Sequence, residues 1–542
     1  MFTCVRLFLI SIAMGCVFSF ICGGSCSARQ PFSFIFRQPS PLDLLVATAE
    51  QMQSIMTSGT LCSYDIVRQC LDQVKQHDNY LKAMLAIAPG ALNVARSLDR
   101  ERQNGIIRGP LHGVPVLIKD NIETGSQLGM DTTAGSYALS GAESYGRASV
   151  VERLLQAGAV ILGKAQLSEF AFYKGTGLPP GWSAVGGQCQ SAYTTDDVAL
   201  DDGIMGYSSP GGSSTGSAVG VSAGYAPIAL GTDTTGSVMI PAARAALYAL
   251  RFTTGTIPLD GVIPFSRTFD TLGIMAKSVS DLTNVVDIVT QSTSARPRGH
   301  MFNAKERKPW ANLRVGVLAP EVWKLPSYAA KPNPEAERQL IDDTRNAYKR
   351  IKGLAKAFRE VELISYEAVE GQGGLGIWDI FRADFQKDMD AYLQSLKSTK
   401  VRSVADIVKF NKEHADLELP AGYASQDLLE GALNYKLSQE DRQTVIASIR
   451  RNSTELGIDK TLEENDLDVI LGPGDSGFNL LTCGGGYPAA TMPLSYLHFN
   501  NRPTSVFAIA RRHHEETLLE VMRSWEATFP SRKPPSRLRA SK

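Results

Sequence analysis

Lysine and serine can together run an acyl transfer that needs no histidine, and this chain offers them in two stretches. Lys119 closes the apolar run "GVPVLIK", while Ser213 and Ser237 sit in the glycine-rich stretches "SSPGGSSTGSAVG" and "LGTDTTGSVMIPAA". A lysine carried inside on an apolar strand is desolvated, which favours the neutral amine and makes it a usable base. "APIALGTDTTGSVMIPAA" reads as strand, tight turn and helix, so the turn before Ser237 exposes backbone N–H groups. Such a turn can supply both a nucleophile and an oxyanion hole built from the N–H groups of Thr234, Thr235 and Gly236. Each residue also has a plainer reading. Lys119 could pair with Asp120 at a strand edge, and either serine could simply cap a helix. Taken together, the three have the makings of a Ser–Ser–Lys relay: a lysine base, a bridging hydroxyl and a nucleophile.

Other chemistries fit less well. None of the seven histidines stands in a metal-binding pattern; "RRHHEETLL" lacks the second histidine of H-E-x-x-H. His513 and His514 read as a solvated helix start, and His112 in "PLHGVP" as a structural hydrogen-bonding residue. "GSSTG", residues 212–216, matches G-x-S-x-G around Ser214, but a nucleophile elbow requires a strand immediately before it. The preceding "DDGIMGYSSPG" is polar and glycine-rich. Four of the eight cysteines fall within the first 26 residues, leaving Cys62, Cys70, Cys189 and Cys483 without C-x-x-C spacing. On a shared helix Cys62 and Cys70 would stand about 12 Å apart, beyond the roughly 7 Å reach of a disulfide. Neither the histidine nor the cysteine spacing indicates a metal site.

The surrounding elements are those of an ordinary globular α/β chain. Of 542 residues, 43% are hydrophobic and 20% charged, and 55 basic residues balance 55 acidic ones. That balance argues against a nucleic-acid or acidic-membrane partner. Ser63 is placed to cap "YDIVRQCLDQV", "NVARSLDRERQNG" reads as a helix ended by Gly105, and "SVVERLLQAGAVILGKAQ" as helix, glycine break and strand. "LRVGVLAP" and "LDVILGPG" are further buried strands, residues 331–460 are mostly helical, and "EETLLEVMRSWEATF" is a closing helix. With no repeat and no clean linker, residues 43–530 read as one domain. The N-terminus, with Arg6, an apolar run from Leu7 to Cys22 and Cys26-Ser27-Ala28, has the order of a cleaved signal peptide over residues 1–28. A secreted protein without stable membrane insertion follows from that reading. Asn452-Ser453-Thr454 is a candidate glycosylation site. Residues 531–542 are basic and proline-bearing and read as a disordered tail. A homodimer is compatible with the sequence, which does not specify an oligomeric state.

Several of these stretches together resemble the amidase signature family of serine hydrolases. The matching stretches are "GPLHGVPVLIKDNIETG", "TTAGSYAL", "AGAVILGKAQLSEFA", "SPGGSSTGSAVGVSAG", "LGTDTTGSVMIPAA", "FDTLGIMAKSVSDL" and "GGGYPAATMPL", and "GWSAVGGQCQSAY" is similar to a secreted fungal branch. The resemblance implies an α/β fold: a single domain with one mixed sheet covered by helices on both faces. It places the family's lysine base on Lys119, its bridging serine, in a cis peptide, on Ser213, and its nucleophile on Ser237. It implies a small-molecule amide substrate hydrolysed through an acyl-enzyme, with no cofactor. Three positions depart from the usual pattern. Ser214-Thr215-Gly216 replaces Ser-Gly-Gly, Thr235 replaces a glycine, and Met239 stands where an arginine is common. A β-branched residue resists positive φ, so Thr235 would disturb the oxyanion turn if the turn needs that conformation there. A catalytically silent binding protein and the amidase-like component of a glutamyl-tRNA amidotransferase are the alternatives to an amidase.

Overall fold

The computed structural model describes residues 42–290, 310–325, 329–371 and 374–539. The signal reading over 1–28, most of the polar stretch 292–312 and the last three residues lie outside them. The described residues fall in one compact unit. Among them no helix is long and apolar enough to cross a membrane.

Eleven strands form one mixed sheet. In chain order they are β1 (Met84–Ile87), β2 (Pro115–Lys119), β3 (Val160–Ala165), β4 (Ile228–Asp233), β5 (Tyr248–Arg251) and β6 (Thr271–Ala276). These are followed by β7 (Arg314–Val317), β8 (Ala357–Glu360), β9 (Val469–Pro473), β10 (Ala489–Tyr496) and β11 (Pro503–Ala510). Across the sheet they run β1-β3-β2-β4-β6-β5-β10-β11-β9-β7-β8. Strands β3, β2 and β4 are mutually parallel, every step from β4 to β9 is antiparallel, and β9, β7 and β8 are again parallel. This register decides where chemistry can gather. Lys119, Asp233, Arg251 and Thr271 come to one edge of the sheet. Val317 and Pro473, ending strands that run the other way, lie at the opposite edge beside Pro503.

Both faces are covered, because strand residues alternate between two cores. Val506, Ala508 and Ala510 of β11 join the core that contains Leu518 and Trp525 of the closing helix Glu515–Thr528. Phe507 and Ile509 join the core of Phe381, Phe385 and Phe478 on the other face. The helix Thr215–Ser222 is buried at all eight positions and lies against β2, β3 and β4. Its small residues permit that approach. A Cβ on Gly216 would stand 2.2 Å from the carbonyl oxygen of Ala83 and 2.5 Å from the Gln166 nitrogen.

Two local expectations are corrected. Ser63 is the first residue of the helix Ser63–Leu81, with Cys62 in the cap position. Asp99 accepts the N–H groups of Ser63 and Tyr64 at 2.7 and 3.0 Å, so Ser63 Oγ instead donates to the Gly113 carbonyl at 2.7 Å. Residues 531–539 are not a disordered tail. Arg532 donates to the carbonyls of Ala246 and Leu45 and to the Tyr193 hydroxyl at 2.8–2.9 Å, and Leu538 is buried. A guanidinium with three well-placed acceptors and an apolar anchor outweighs the tail's polar composition. Cys62, Cys70, Cys189 and Cys483 are all free thiols.

Candidate active site

Lys119 arrives at the first of these sheet edges on β2, with its side chain fully buried. Its Nζ lies 2.8 Å from Ser213 Oγ, 2.8 Å from Thr232 Oγ1 and 3.2 Å from the Thr232 carbonyl oxygen. Burial pulls its pKa down to about 7, against the opposing pull of Asp233 and Asp270. A neutral amine has two N–H bonds and one lone pair. Nζ donates to all three oxygens as an ammonium; in the neutral form its two N–H bonds would serve the two Thr232 oxygens and leave the lone pair for Ser213. Lys119 makes no pair with Asp120; that carboxylate lies 3.2 Å from Lys164 Nζ.

Ser213 is also buried, and the Gly212–Ser213 peptide is cis. It caps no helix: Ser214 stands at the cap of Thr215–Ser222, with its Oγ donating to the Thr232 carbonyl at 3.1 Å. Loop residues, not a strand, precede Ser214, so the elbow context is absent. Ser237 is half-buried and precedes the short helix Met239–Ala243, whose cap position is Val238. Its carbonyl accepts the Ser214 N–H at 3.0 Å. The backbone thus ties the two serine segments together, although no hydrogen bond joins Ser237 Oγ to Ser213 Oγ among the described residues.

The turn between Asp233 and Ser237 is held from two sides. Asp233, fully buried, accepts the Gly236 N–H at 2.8 Å through Oδ1 and the Val238 N–H at 2.6 Å through Oδ2. Arg251 Nε donates to the same carboxylate at 3.1 Å. On the other side Thr234 Oγ1 donates to Asp270 Oδ1 at 2.5 Å, and Asp270 also accepts the N–H groups of Phe265 and Ser266. Burial pushes Asp270 up to about 6.

This geometry revises the expected oxyanion donors. The Gly236 N–H is occupied by Asp233, whereas no acceptor engages the N–H of Thr234, Thr235 or Ser237 among the described residues. The positive φ of the turn, +97°, falls on Gly236, and Thr235 lies outside the left-handed region. Thr235 is therefore accommodated without strain. Met239 is fully buried, and the positive partner of Asp233 comes from Arg251 on β5.

His112 is structural, as expected. It is buried, its Nδ1 accepts the Arg108 N–H and its Nε2 donates to the Leu98 carbonyl. His513 and His514 are exposed. No group of three or more metal-ligating side chains gathers among the described residues. Asn452 lies near the end of the helix Gln439–Ser453, and its Nδ2 donates to the Ala368 carbonyl at 2.8 Å. A glycan on that nitrogen would have to displace the bond.

The family profile described as Amidase matches residues 65–473. The chain belongs to the amidase signature family. An amidase-named protein of Schizosaccharomyces pombe is 32% identical over 497 residues, covering 84% of this chain and 81% of its own. An amidase-named protein of Arabidopsis thaliana is 29% identical over 511 residues, covering 92% of this chain and 93% of its own. The structure of native peptide amidase from Stenotrophomonas maltophilia superposes with a TM-score of 0.77 at 30% identity, covering 90% of this chain and 98% of that one. The mixed sheet flanked by helices is thus the amidase signature fold, and the chain is an amidase-family hydrolase of C–N bonds.

Sequence pattern alone does not single out Thr232, Asp233, Arg251 and Asp270 as site residues. Asp233 and Asp270 carry a readable signal, each being a carboxylate directly bordering an apolar strand. Arg251 carries none, since only the pairing of both β4 and β5 with β6 brings it to Asp233.

Proposed function

We propose that this amidase hydrolyses a carboxylic amide to the carboxylate and ammonia or an amine, with Ser237 as nucleophile, Ser213 as bridge and Lys119 as base. The observation that carries this reading is the 2.8 Å contact between the buried Lys119 Nζ and Ser213 Oγ, beside a turn with unoccupied N–H groups. Neutral Lys119 takes the Ser213 proton as Ser213 takes the Ser237 proton, and Ser237 Oγ attacks the amide carbonyl. Thr234, Thr235 and Ser237 are the candidate donors to the oxyanion, in place of Gly236. The relay then returns the proton to the leaving nitrogen, and water hydrolyses the acyl-enzyme by the same route. A peptide amide is the first substrate class to screen, following the name of the Stenotrophomonas maltophilia neighbour. Secretion, from the signal pattern at residues 1–28, completes the proposal and is tested by N-terminal sequencing of the exported chain.

A fluorophosphonate probe followed by peptide mapping tests the chemistry. The expected adduct sits on Ser237, disappears in Ser237→Ala and weakens strongly in Lys119→Ala. An adduct on Ser214, or none on folded protein, would sink the assignment.

A further inference from the structure

The turn that carries Ser237 has a polar neighbour that the relay does not use. Asn479 is the second residue of the helix Phe478–Gly485, which follows β9. Its side chain reaches the turn: a Cβ on Gly236 would stand 3.1 Å from Asn479 Nδ2 and 3.2 Å from Asn479 Cγ. The helix behind it is fixed by packing. Phe478 is fully buried with its ring 5.8 Å from that of Trp323, and Leu481 and Cys483 belong to the same core.

Around the turn the carboxylates of Asp233 and Asp270 and the hydroxyl of Thr234 all have partners. The Asn479 amide has none among the described residues, although the residue is only 8% exposed. Nor is that amide sealed in, so a molecule lying against the turn can reach it. A mostly buried polar group that the protein leaves unbonded is costly, and a bound substrate would satisfy it. Ile240 completes this wall. It would meet a Cβ on Gly236 at 2.9 Å and one on Gly211, two residues before Ser213, at 3.0 Å. An apolar side chain thus spans the two serine segments, with a neutral polar one beside it.

The chemistry of that amide narrows what it can recognise. Thr234, Thr235 and Ser237 already offer three N–H groups to the oxyanion, so Asn479 is not needed there. A charged group brought against it would be desolvated without a counter-ion. Its N–H donors and carbonyl acceptor instead complement another amide. The spacing agrees, because Gly236 lies one residue from Ser237, about 3.8 Å between Cα atoms, and neighbouring amides of a peptide are separated by the same step.

We infer that Asn479 determines specificity by hydrogen-bonding a second amide of the substrate, next to the scissile one. The enzyme then selects N-acylated amino-acid amides over plain carboxamides of the same body. This role rests on the amidase reading of Ser237 and narrows its substrate class.

Ammonia release from N-acetylphenylalaninamide and from 3-phenylpropanamide, which lacks only the acetamido group, tests it on the full chain. Wild type should favour the first by about tenfold in kcat/KM, the scale of one well-placed hydrogen bond. In Asn479→Leu the ratio should fall to about one, with the loss carried by N-acetylphenylalaninamide. If Asn479→Leu fails to fold, Asn479→Ser, too short to reach the same group, should lower the ratio in the same way. A loss shared equally by both substrates would make Asn479 structural and overturn the inference. Fluorophosphonate mapping of the wild type separates this failure from failure of the relay. An adduct on Ser237 together with a wild-type ratio near one, or with no hydrolysis of either amide, would overturn the role of Asn479 alone. An adduct elsewhere would overturn the relay and the role argued from it.

Discussion

Lys119 Nζ and Ser213 Oγ stand 2.8 Å apart, both buried, so the proton state of the lysine governs what that contact can do. As an ammonium Lys119 has no lone pair to offer, whereas as an amine it can accept the Ser213 proton. With its pKa drawn down to about 7 by burial, kcat/KM should rise with pH and reach half its plateau near 7. Lys119→Ala should lower kcat/KM about 10²–10⁴-fold, the usual worth of a positioned base, and remove the rising limb. A pH profile of the wild type that stays flat from 5 to 9 would contradict the role.

The φ of +97° on Gly236 makes a prediction opposite to the one that sequence pattern suggests. A Cβ at Gly236 would meet Ile240 Cδ1 at 2.9 Å and Asn479 Nδ2 at 3.1 Å in a backbone region that L residues rarely adopt. Gly236→Ala should therefore cost activity by about a hundredfold or more, because the displaced turn would misplace the Thr234, Thr235 and Ser237 N–H groups offered to the oxyanion. Thr235→Gly should change it by less than about threefold, since Thr235 carries no strain to relieve. Steady-state kinetics on the two variants decide between the positions.

The same turn shows what the sequence could and could not tell. The apolar run ending on Lys119, the strand ending on Asp233 and the turn before Ser237 were legible because strand and turn signals are local. The α/β class followed from the same alternation. The contacts of Arg251 with Asp233 and of Asp270 with Thr234 were not legible, because they depend on which strands become neighbours. Nor was the docking of Arg532, whose acceptors Leu45, Tyr193 and Ala246 are scattered along the chain. Local composition describes such a segment only as polar.

Asp270 touches Thr234, not the reacting serines, so it is a positioning residue with a specific signature. It holds Thr234 Oγ1 at 2.5 Å, and its charge works to raise the Lys119 pKa. Asp270→Asn should reduce kcat about tenfold with little change in KM, as a loosened turn loses transition-state contacts. It should also move the rising limb of kcat/KM to lower pH, because removing a negative charge makes Lys119 easier to deprotonate. A loss of activity with an unmoved limb would assign Asp270 a purely structural role.

Truncation after Ser531 removes the three Arg532 hydrogen bonds and the buried Leu538 side chain. Hydrogen bonds to a charged group contribute about 1.5–3 kcal/mol each, and a buried leucine a similar amount. Partial solvent access to the arginine reduces the sum, and an overall loss of about 3 kcal/mol is expected, read as a lower denaturant midpoint at unchanged slope. An unchanged midpoint would restore the reading of a disordered tail.

Lys119 should also cost the fold stability at neutral pH. An unfolded lysine titrates near 10.5 and the folded one near 7, so between those values the unfolded chain binds a proton that the folded chain does not. Stability therefore rises with pH across that window, and the penalty is constant below 7. The penalty comes to about 5 kcal/mol at 1.36 kcal/mol per unit. Lys119→Met removes it but loses three hydrogen bonds worth about 1 kcal/mol each. The variant should then be more stable than wild type by about 2 kcal/mol at pH 7, as an inactive protein, with the advantage gone by pH 10. Urea melts at the two pH values measure this directly. A difference between variant and wild type that stays the same from pH 7 to pH 10 would mean that the folded lysine keeps its proton across that window, and the proposed neutral base would fall with it.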